Sequence, residues 1–129
     1  MVKLDKIYTR GGDKGLTSLG DGTRVKKSNV RIKAYGDVDE ANSSIGVCAA
    51  FSSKIINHIL LKVQNHLFDI GADLCFPEKS ERRVTITSEK INFLENEIDH
   101  INKNLEKLES FILPGGSKSS AFIHLSRSL

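Results

Sequence analysis

Two glycine-rich turns concentrate the side chains that could do chemistry. The first, YTRGGDKGLTS, spans residues 8–18, and the second, LPGGSKSS, spans residues 113–120. Glycine has no Cβ atom, so backbone N–H groups in such turns can approach an anion closely. The lysine, arginine and hydroxyl groups between the glycines add donors that suit phosphate oxygens. The composition therefore predicts phosphate binding, with a disordered leader or a surface hairpin as the structural alternative for the first turn.

Neither turn contains an established phosphate-binding signature. The sequence has no GxxxxGK[ST] segment and no GxGxxG segment. The second turn opens a predicted helix, whose N-terminus would present free N–H groups and the positive end of the helix dipole. Each turn is a weak indication when it is taken alone.

Helical spacing dominates the rest of the chain, which must position the two turns. The pattern predicts helices over residues 37–51, 53–75, 88–108 and 117–129, with residues 1–34 in loops or short extended pieces. Asp37 and Glu40 are spaced as a capping box. Apolar residues recur every three or four positions from Ile56 to Leu74 and from Ile91 to Leu108, and both stripes are predicted to face a core. The prediction is an all-α, up-and-down helical bundle behind a glycine-rich N-terminal loop, with one β-prone run at 84–87.

Composition narrows the function classes further. The 129 residues fit one domain, and a net charge of +3 with no tryptophan argues against a nucleic-acid partner. Cys48 and Cys75 both lie in apolar segments, which favours a reducing compartment over a disulfide framework. No apolar run approaches the ~18 residues of a membrane span, and the N-terminus lacks the apolar stretch of a signal peptide. The chain is predicted to be cytoplasmic, without a membrane partner.

Four segments, in order, resemble the PduO-type ATP:cob(I)alamin adenosyltransferases: YTRGGDKGLTSL, VKKSNVRIKAYGDVDEANSSIG, LLKVQNHLFDIGADL and FILPGGSKSSAFIHLSR. The resemblance implies a helical bundle that assembles as a homotrimer, with ATP and corrinoid bound at subunit interfaces. It also implies transfer of the 5′-deoxyadenosyl group of ATP, bound with Mg²⁺, to the cobalt of cob(I)alamin, which yields adenosylcobalamin and triphosphate. A corrinoid reductase or an adenosylcobalamin-dependent enzyme is an implied partner.

The same resemblance implies roles for individual residues. Asp39 would pair with Arg127 across the subunit interface, and Phe111 would lie against the corrin and help to displace its lower axial ligand. These three form the implied catalytic set, Phe111 is also the implied corrinoid contact, and no protein metal site is implied. The implied ATP-binding residues are Thr9, Arg10, Gly11, Gly12, Asp13, Lys14, Gly15, Thr17 and Lys27.

The residues themselves leave alternatives open. Lys26 competes with Lys27 as the phosphate contact, because both lie in a basic run that could be a solvated face. Phe111 would by default be a core aromatic. Asn42 could equally make hydrogen bonds within the bundle, and Arg31 is better interpreted as structural.

Relative to that family the sequence is short at its C-terminal end. The resemblance implies a single adenosyltransferase-like domain over residues 1–129 that lacks the family's last helix. Two functions follow. One is an active adenosyltransferase, and the other is a non-catalytic remnant that binds ATP or corrinoid weakly or acts only in helical-bundle assembly.

Overall fold

The computed structural model describes residues 6–77 and 86–129. Within these ranges it consists of a two-stranded antiparallel hairpin followed by four helices. The elements are β1 (Leu16–Ser18), β2 (Arg24–Lys26), α1 (Val30–Phe51), α2 (Lys54–Cys75), α3 (Ser88–Asn102) and α4 (Lys118–Arg127). The predicted helical fold is confirmed, with a small hairpin added at its N-terminal side. None of the described helices is both long enough and apolar enough to cross a membrane.

The first helix begins earlier than the sequence predicts. Asn29 is its N-cap, and the Asn29 side chain accepts a hydrogen bond from the N–H of Arg31 at 2.9 Å. The predicted start at residue 37 and the capping box of Asp37 and Glu40 are therefore wrong. Gly36 is a poor helix former and interrupts the helical sequence pattern. The helix continues past Gly36 because α1 packs against α2 and α4.

Two alanine substitutions distinguish the observed start of α1 from the predicted one. Asn29→Ala should lower the free energy of unfolding by about 1 kcal/mol, because it removes the side chain that caps the helix. Asp37→Ala should change it by less than about 0.5 kcal/mol, because Asp37 is an exposed residue within the helix. Urea unfolding followed by circular dichroism measures both. The reverse order of effects would contradict the start at Val30.

The third helix ends earlier than predicted. It stops at Asn102, where the N–H of Lys103 donates to the carbonyl oxygen of Asp99 at 3.2 Å, so the predicted end at residue 108 is wrong. Asparagine at 102 and 104 favours local turns over helix. The predicted stripe of α3 is also largely exposed in this chain, with Ile91 at 51% and Ile98 at 57%.

The remaining predictions concern the β-prone run and the apolar stripe and start of α2. The β-prone run at 84–87 falls partly outside the described residues, and its described part, residues 86–87, forms no strand. The α2 stripe agrees with the prediction, because Ile56, Leu60, Val63, Leu67, Ile70 and Leu74 are all half-buried. The start of α2 after Ser53 also agrees, since the Ser53 hydroxyl accepts from the N–H of Ile56 at 3.4 Å.

The core lies along α1, which packs against α2 on one side and α4 on the other. Asn42 and Gln64 bind each other's backbone: Asn42 Nδ2 donates to the Gln64 carbonyl at 3.3 Å, and Gln64 Nε2 donates to the Asn42 carbonyl at 3.0 Å. The bundle interpretation of Asn42 is confirmed. Toward α4, the rings of Phe51 and Phe122 stack with centroids 5.5 Å apart, and the fully buried Cys48 lies beside them along α1.

Candidate functional site

The first glycine-rich turn is a loop over residues 9–15, here called the glycine loop, that leads directly into β1. The N–H of Gly15 donates to the Gly12 carbonyl at 3.0 Å, and the N–H of Lys27 donates to the Gly15 carbonyl at 2.9 Å. Arg10 has a φ of 56° and Gly15 a φ of 76°. This left-handed region is easy for glycine and uncommon for arginine, so the loop is held in a specific shape.

The side chain of Lys27 lies across the glycine loop. A Cβ atom at position 12 would lie 3.0 Å from Lys27 Nζ and 3.2 Å from the Leu16 carbonyl oxygen. A side chain at position 12 would therefore require the end of the lysine to move, and the Lys27 ammonium lies beside Gly12 of the loop. Of the two competing lysines, the structure brings Lys27 to the loop, while Lys26 pairs with Leu16 in the hairpin ladder.

Arg24 also holds the loop, and sequence reasoning missed it. Its guanidinium donates to the Gly11 carbonyl at 2.6 Å and to Ser18 Oγ at 3.1 Å. The hairpin register, which only the structure shows, sets Arg24 opposite Ser18 and so brings it to the loop. Arg24 and Lys27 together attach β2 to the glycine loop and give this end of the hairpin positive charge.

The other predicted residues of this set lie on the same loop or on β1. Thr9 Oγ1 accepts from the N–H of Gly11 at 3.4 Å, and the N–H of Asp13 donates to the Arg10 carbonyl at 3.4 Å. Lys14 is exposed, and Thr17 is half-buried on β1. Within residues 6–77 and 86–129, the N–H groups of Gly12 and Lys14 have no hydrogen-bond acceptor. The loop therefore combines free N–H donors with cations and hydroxyls, which is the donor set that a polyphosphate needs.

Asp39 lies at a separate cavity between α1 and α2. The cavity measures about 460 Å³ and is lined by Tyr35, Asp39, Asn42 and Cys75 together with small and apolar residues. Burial raises the pKa of the Tyr35 phenol, and the nearby Cys75 raises it further. The phenol therefore stays protonated near neutral pH. Asn42 Oδ1 is buried there without a hydrogen-bond partner among the described residues.

Phe111 and Arg127 come together in another cavity, of about 240 Å³, beside α4. The connector between α3 and α4 supplies Phe111, and the last turn of α4 supplies Arg127. The Phe111 ring is fully exposed, so the default interpretation of it as a core aromatic is wrong. The physical reason is that Phe111 lies on an irregular connector and is covered by none of the described helices.

The second glycine-rich turn caps α4 as predicted. The Ser117 hydroxyl accepts from the N–H of Ser120 at 3.2 Å, and the Ser120 hydroxyl donates to the Gly115 carbonyl at 2.7 Å. Gly116 has a φ of 100°, a conformation that side-chain-bearing residues rarely adopt. The turn thus fixes the direction of α4, and with it the position of Arg127.

The structure does not bring Asp39 and Arg127 together within one chain. They line different cavities that share no residue. In the part of the chain that the structure describes, the single ion pair joins Lys90 and Asp69. No cluster of three or more histidine, cysteine, aspartate or glutamate residues that could hold a metal ion occurs among the described residues.

Comparisons with known proteins agree with one another. A family model described as cobalamin adenosyltransferase matches residues 7–129. The chain is 43% identical over 136 residues to a corrinoid adenosyltransferase of Mycobacterium leprae, a match that covers 99% of this chain and 71% of that protein. It is 40% identical over 129 residues to a cobalamin adenosyltransferase of Cupriavidus metallidurans, with 98% and 68% covered.

A solved structure shows the same fold. It is a variant PduO-type ATP:corrinoid adenosyltransferase from Lactobacillus reuteri, complexed with cobalamin and ATP. The match has a TM-score of 0.89 at 33% identity and covers 95% of this chain and 71% of that one. The resemblance drawn from the four sequence segments is confirmed, and the chain belongs to the cobalamin adenosyltransferase family.

Proposed function

We propose that this corrinoid adenosyltransferase, acting as one domain, binds the triphosphate of ATP on the glycine loop and passes the 5′-deoxyadenosyl group to the cobalt of cob(I)alamin. The Co(I) electron pair forms the new Co–C5′ bond while the C5′–O bond breaks, and inorganic triphosphate leaves with the electrons of that bond. The observation that carries this proposal is the position of the Lys27 ammonium beside Gly12, where an added Cβ atom would lie 3.0 Å from it.

The glycine loop would stabilise charge on the leaving triphosphate. Co(I) is already a strong nucleophile, so the reaction needs alignment and charge stabilisation more than a side-chain base. The free N–H groups of Gly12 and Lys14 and the ammonium of Lys27 offer donors that exist before ATP arrives. Thr9, Arg10, Gly11, Asp13, Gly15 and Thr17 complete the proposed ATP-binding set.

We propose that Mg²⁺ enters with ATP as part of the substrate. Mg²⁺ keeps several waters and is commonly bound through substrate phosphates with one or two carboxylates. Asp13 is the carboxylate of the glycine loop, and the hydroxyls of Thr9 and Thr17 are further oxygen groups near it in sequence. This donor set fits a phosphate-bound magnesium ion and requires no cage of protein ligands.

The corrin would lie against Phe111. A fully exposed phenyl ring beside a cavity offers a flat apolar surface to a flat macrocycle, and Arg127 lies at the same cavity. Contact on this face would remove the ring from water and keep a lower axial ligand away from the cobalt. This proposal links the exposure of Phe111 to its implied catalytic role.

Phe111→Ala should leave stability nearly unchanged and impair the corrinoid step. The free energy of unfolding should shift by less than about 0.5 kcal/mol, because the ring makes no buried contact to lose. Adenosylation should fall by about tenfold or more, since an interaction with the corrin face is removed. Urea unfolding and an anaerobic cob(I)alamin assay measure the two effects. A large loss of stability with unchanged turnover would contradict the proposal.

Asp39 and Arg127 would pair between subunits. Within the described residues of one chain they form no ion pair, and they line different cavities, which supports a pair between two copies. We propose a homotrimer in which each interface carries such a pair beside the bound substrates. An arginine–carboxylate pair at a partly buried interface can be bidentate and therefore directional.

Direct assay of the chain tests the proposed function. The chain, cob(I)alamin kept reduced chemically, and ATP with Mg²⁺ are mixed without oxygen, and adenosylcobalamin is followed by its absorbance. We expect conversion that depends on both ATP and protein. Binding of ATP and corrinoid without conversion would contradict a catalytic function and would favour the non-catalytic alternative.

A further inference from the structure

The hairpin is fixed at its turn to the C-terminal end of α2. The N–H of Gly20 donates to the carbonyl oxygen of Cys75 at 2.9 Å. The ring of Phe76 covers Gly20 so closely that a Cβ atom at position 20 would lie 2.8 Å from its Cζ atom. Real Cβ atoms essentially never approach another atom so closely, so a larger residue at position 20 must displace the ring or the hairpin.

Arg31 ties the start of α1 to the same point. Its Nη1 atom donates to the carbonyl oxygens of Leu74 at 2.9 Å and Phe76 at 3.3 Å. The last carbonyls of a helix lack partners within the helix and carry the negative end of its dipole. The guanidinium satisfies both requirements, in agreement with the structural interpretation of Arg31.

The opposite end of the hairpin holds the glycine loop, through the contacts of Arg24 with Gly11 and of Lys27 with Gly15. β2 also runs directly into α1, because the N–H of Asn29 donates to the Lys26 carbonyl at 2.9 Å. The hairpin therefore acts as an arm between the end of α2 and the loop. A displacement of the hairpin at Gly20 would be transmitted along the strands toward the loop.

We infer that Phe76 and Arg31 are positioning residues for ATP, because they hold the hairpin arm at the angle that presents the glycine loop to the triphosphate. They act through the hairpin and not on the substrate. The inference rests on the proposed function of the loop. Preorganised donors stabilise charge only when they lie close to the required positions, so a small displacement of the arm weakens binding.

Gly20→Ala is the direct test. The dissociation constant for MgATP should rise by about tenfold and kcat should fall with it, because the loop also stabilises the leaving triphosphate, while the KM for corrinoid changes by less than about twofold. The corrinoid cavity at Phe111 is built from the α3–α4 connector and α4, away from this contact. In the variant Gly20→Ala with Phe76→Ala, the vacated ring volume accommodates the added methyl group. MgATP affinity should then return to that of Phe76→Ala alone.

Variants of Arg31 and of a distant phenylalanine complete the set of variants to be tested. Arg31→Gln should also raise the KM for ATP by about tenfold, and Arg31→Lys should recover part of that loss because a lysine can reach one carbonyl. Phe93→Ala is the matched control. It removes an α3 ring that packs against Lys62 and His66 of α2, and the ATP affinity of this variant should equal that of wild type.

Calorimetric titration with MgATP, steady-state adenosylation and thermal unfolding are measured for every variant. Wild-type ATP binding together with unchanged affinity in Gly20→Ala would overturn this inference alone. Additive losses in the double variant, or a corrinoid affinity that falls as much as the MgATP affinity, would overturn it as well. Absence of ATP binding by the wild-type chain would overturn the proposed function and this inference together.

Discussion

Replacing Lys27 with alanine is expected to weaken MgATP binding by about 10- to 100-fold. The ammonium lies beside Gly12 of the glycine loop, where it would meet the phosphates together with the free N–H groups. A charge-assisted hydrogen bond contributes about 1.5–3 kcal/mol, which corresponds to this range. Calorimetric titration of MgATP, without corrinoid, measures the effect separately from turnover.

The neighbouring lysine is the natural control. Lys26→Ala removes the same charge one residue away, but Lys26 pairs with Leu16 in the hairpin and only Lys27 is found beside Gly12, so its effect should stay below about threefold. Gly12→Ala should resemble Lys27→Ala in direction, because the added Cβ atom would lie 3.0 Å from the ammonium and push it off the loop. Equal losses from Lys26→Ala and Lys27→Ala would show a diffuse charge effect and would remove Lys27 from the binding set.

The sequence predicted the fold well where periodicity and caps agree. Helix α2 has a long apolar stripe and a serine N-cap, and its observed start follows the prediction. The start of α1 was missed because Gly36 breaks the pattern, while the contacts that override it lie on α2 and α4. The end of α3 was missed because the spacing continues to Leu108 although the backbone turns after Asn102.

The residue types of the candidate site could be predicted from the sequence, but their relative positions could not. The glycines, cations and hydroxyls of the first turn indicate phosphate binding by their residue types alone. The choice between Lys26 and Lys27 required the hairpin register, and the contact between Phe76 and Gly20 joins residues that are distant in the chain. The exposure of Phe111 could not be predicted either, because the sequence of an irregular connector does not indicate which elements pack over it.

Reversing charges at positions 39 and 127 is expected to give the largest loss and a diagnostic recovery. Asp39→Arg and Arg127→Asp should each lower turnover by about 100-fold or more, since each removes a preorganised contact beside the site and sets like charges against each other. The two side chains form no ion pair within the described chain and line different cavities, so the proposed pair joins two copies. The double variant restores a complementary pair at every interface and should recover to within about tenfold of wild type.

Mixing the two single variants separates pairing between subunits from an effect within one chain. After mild dissociation and reassembly, an interface that joins one subunit of each kind regains opposite charges, so the mixture should be more active than either variant alone. Glu40→Arg is the matched control, because Glu40 is the exposed acidic neighbour of Asp39 on α1, and its turnover should stay near wild type. Light scattering reports the mass of each assembly. If the double variant and the mixture are as inactive as the single variants, Asp39 and Arg127 do not pair, and the proposed interface is wrong.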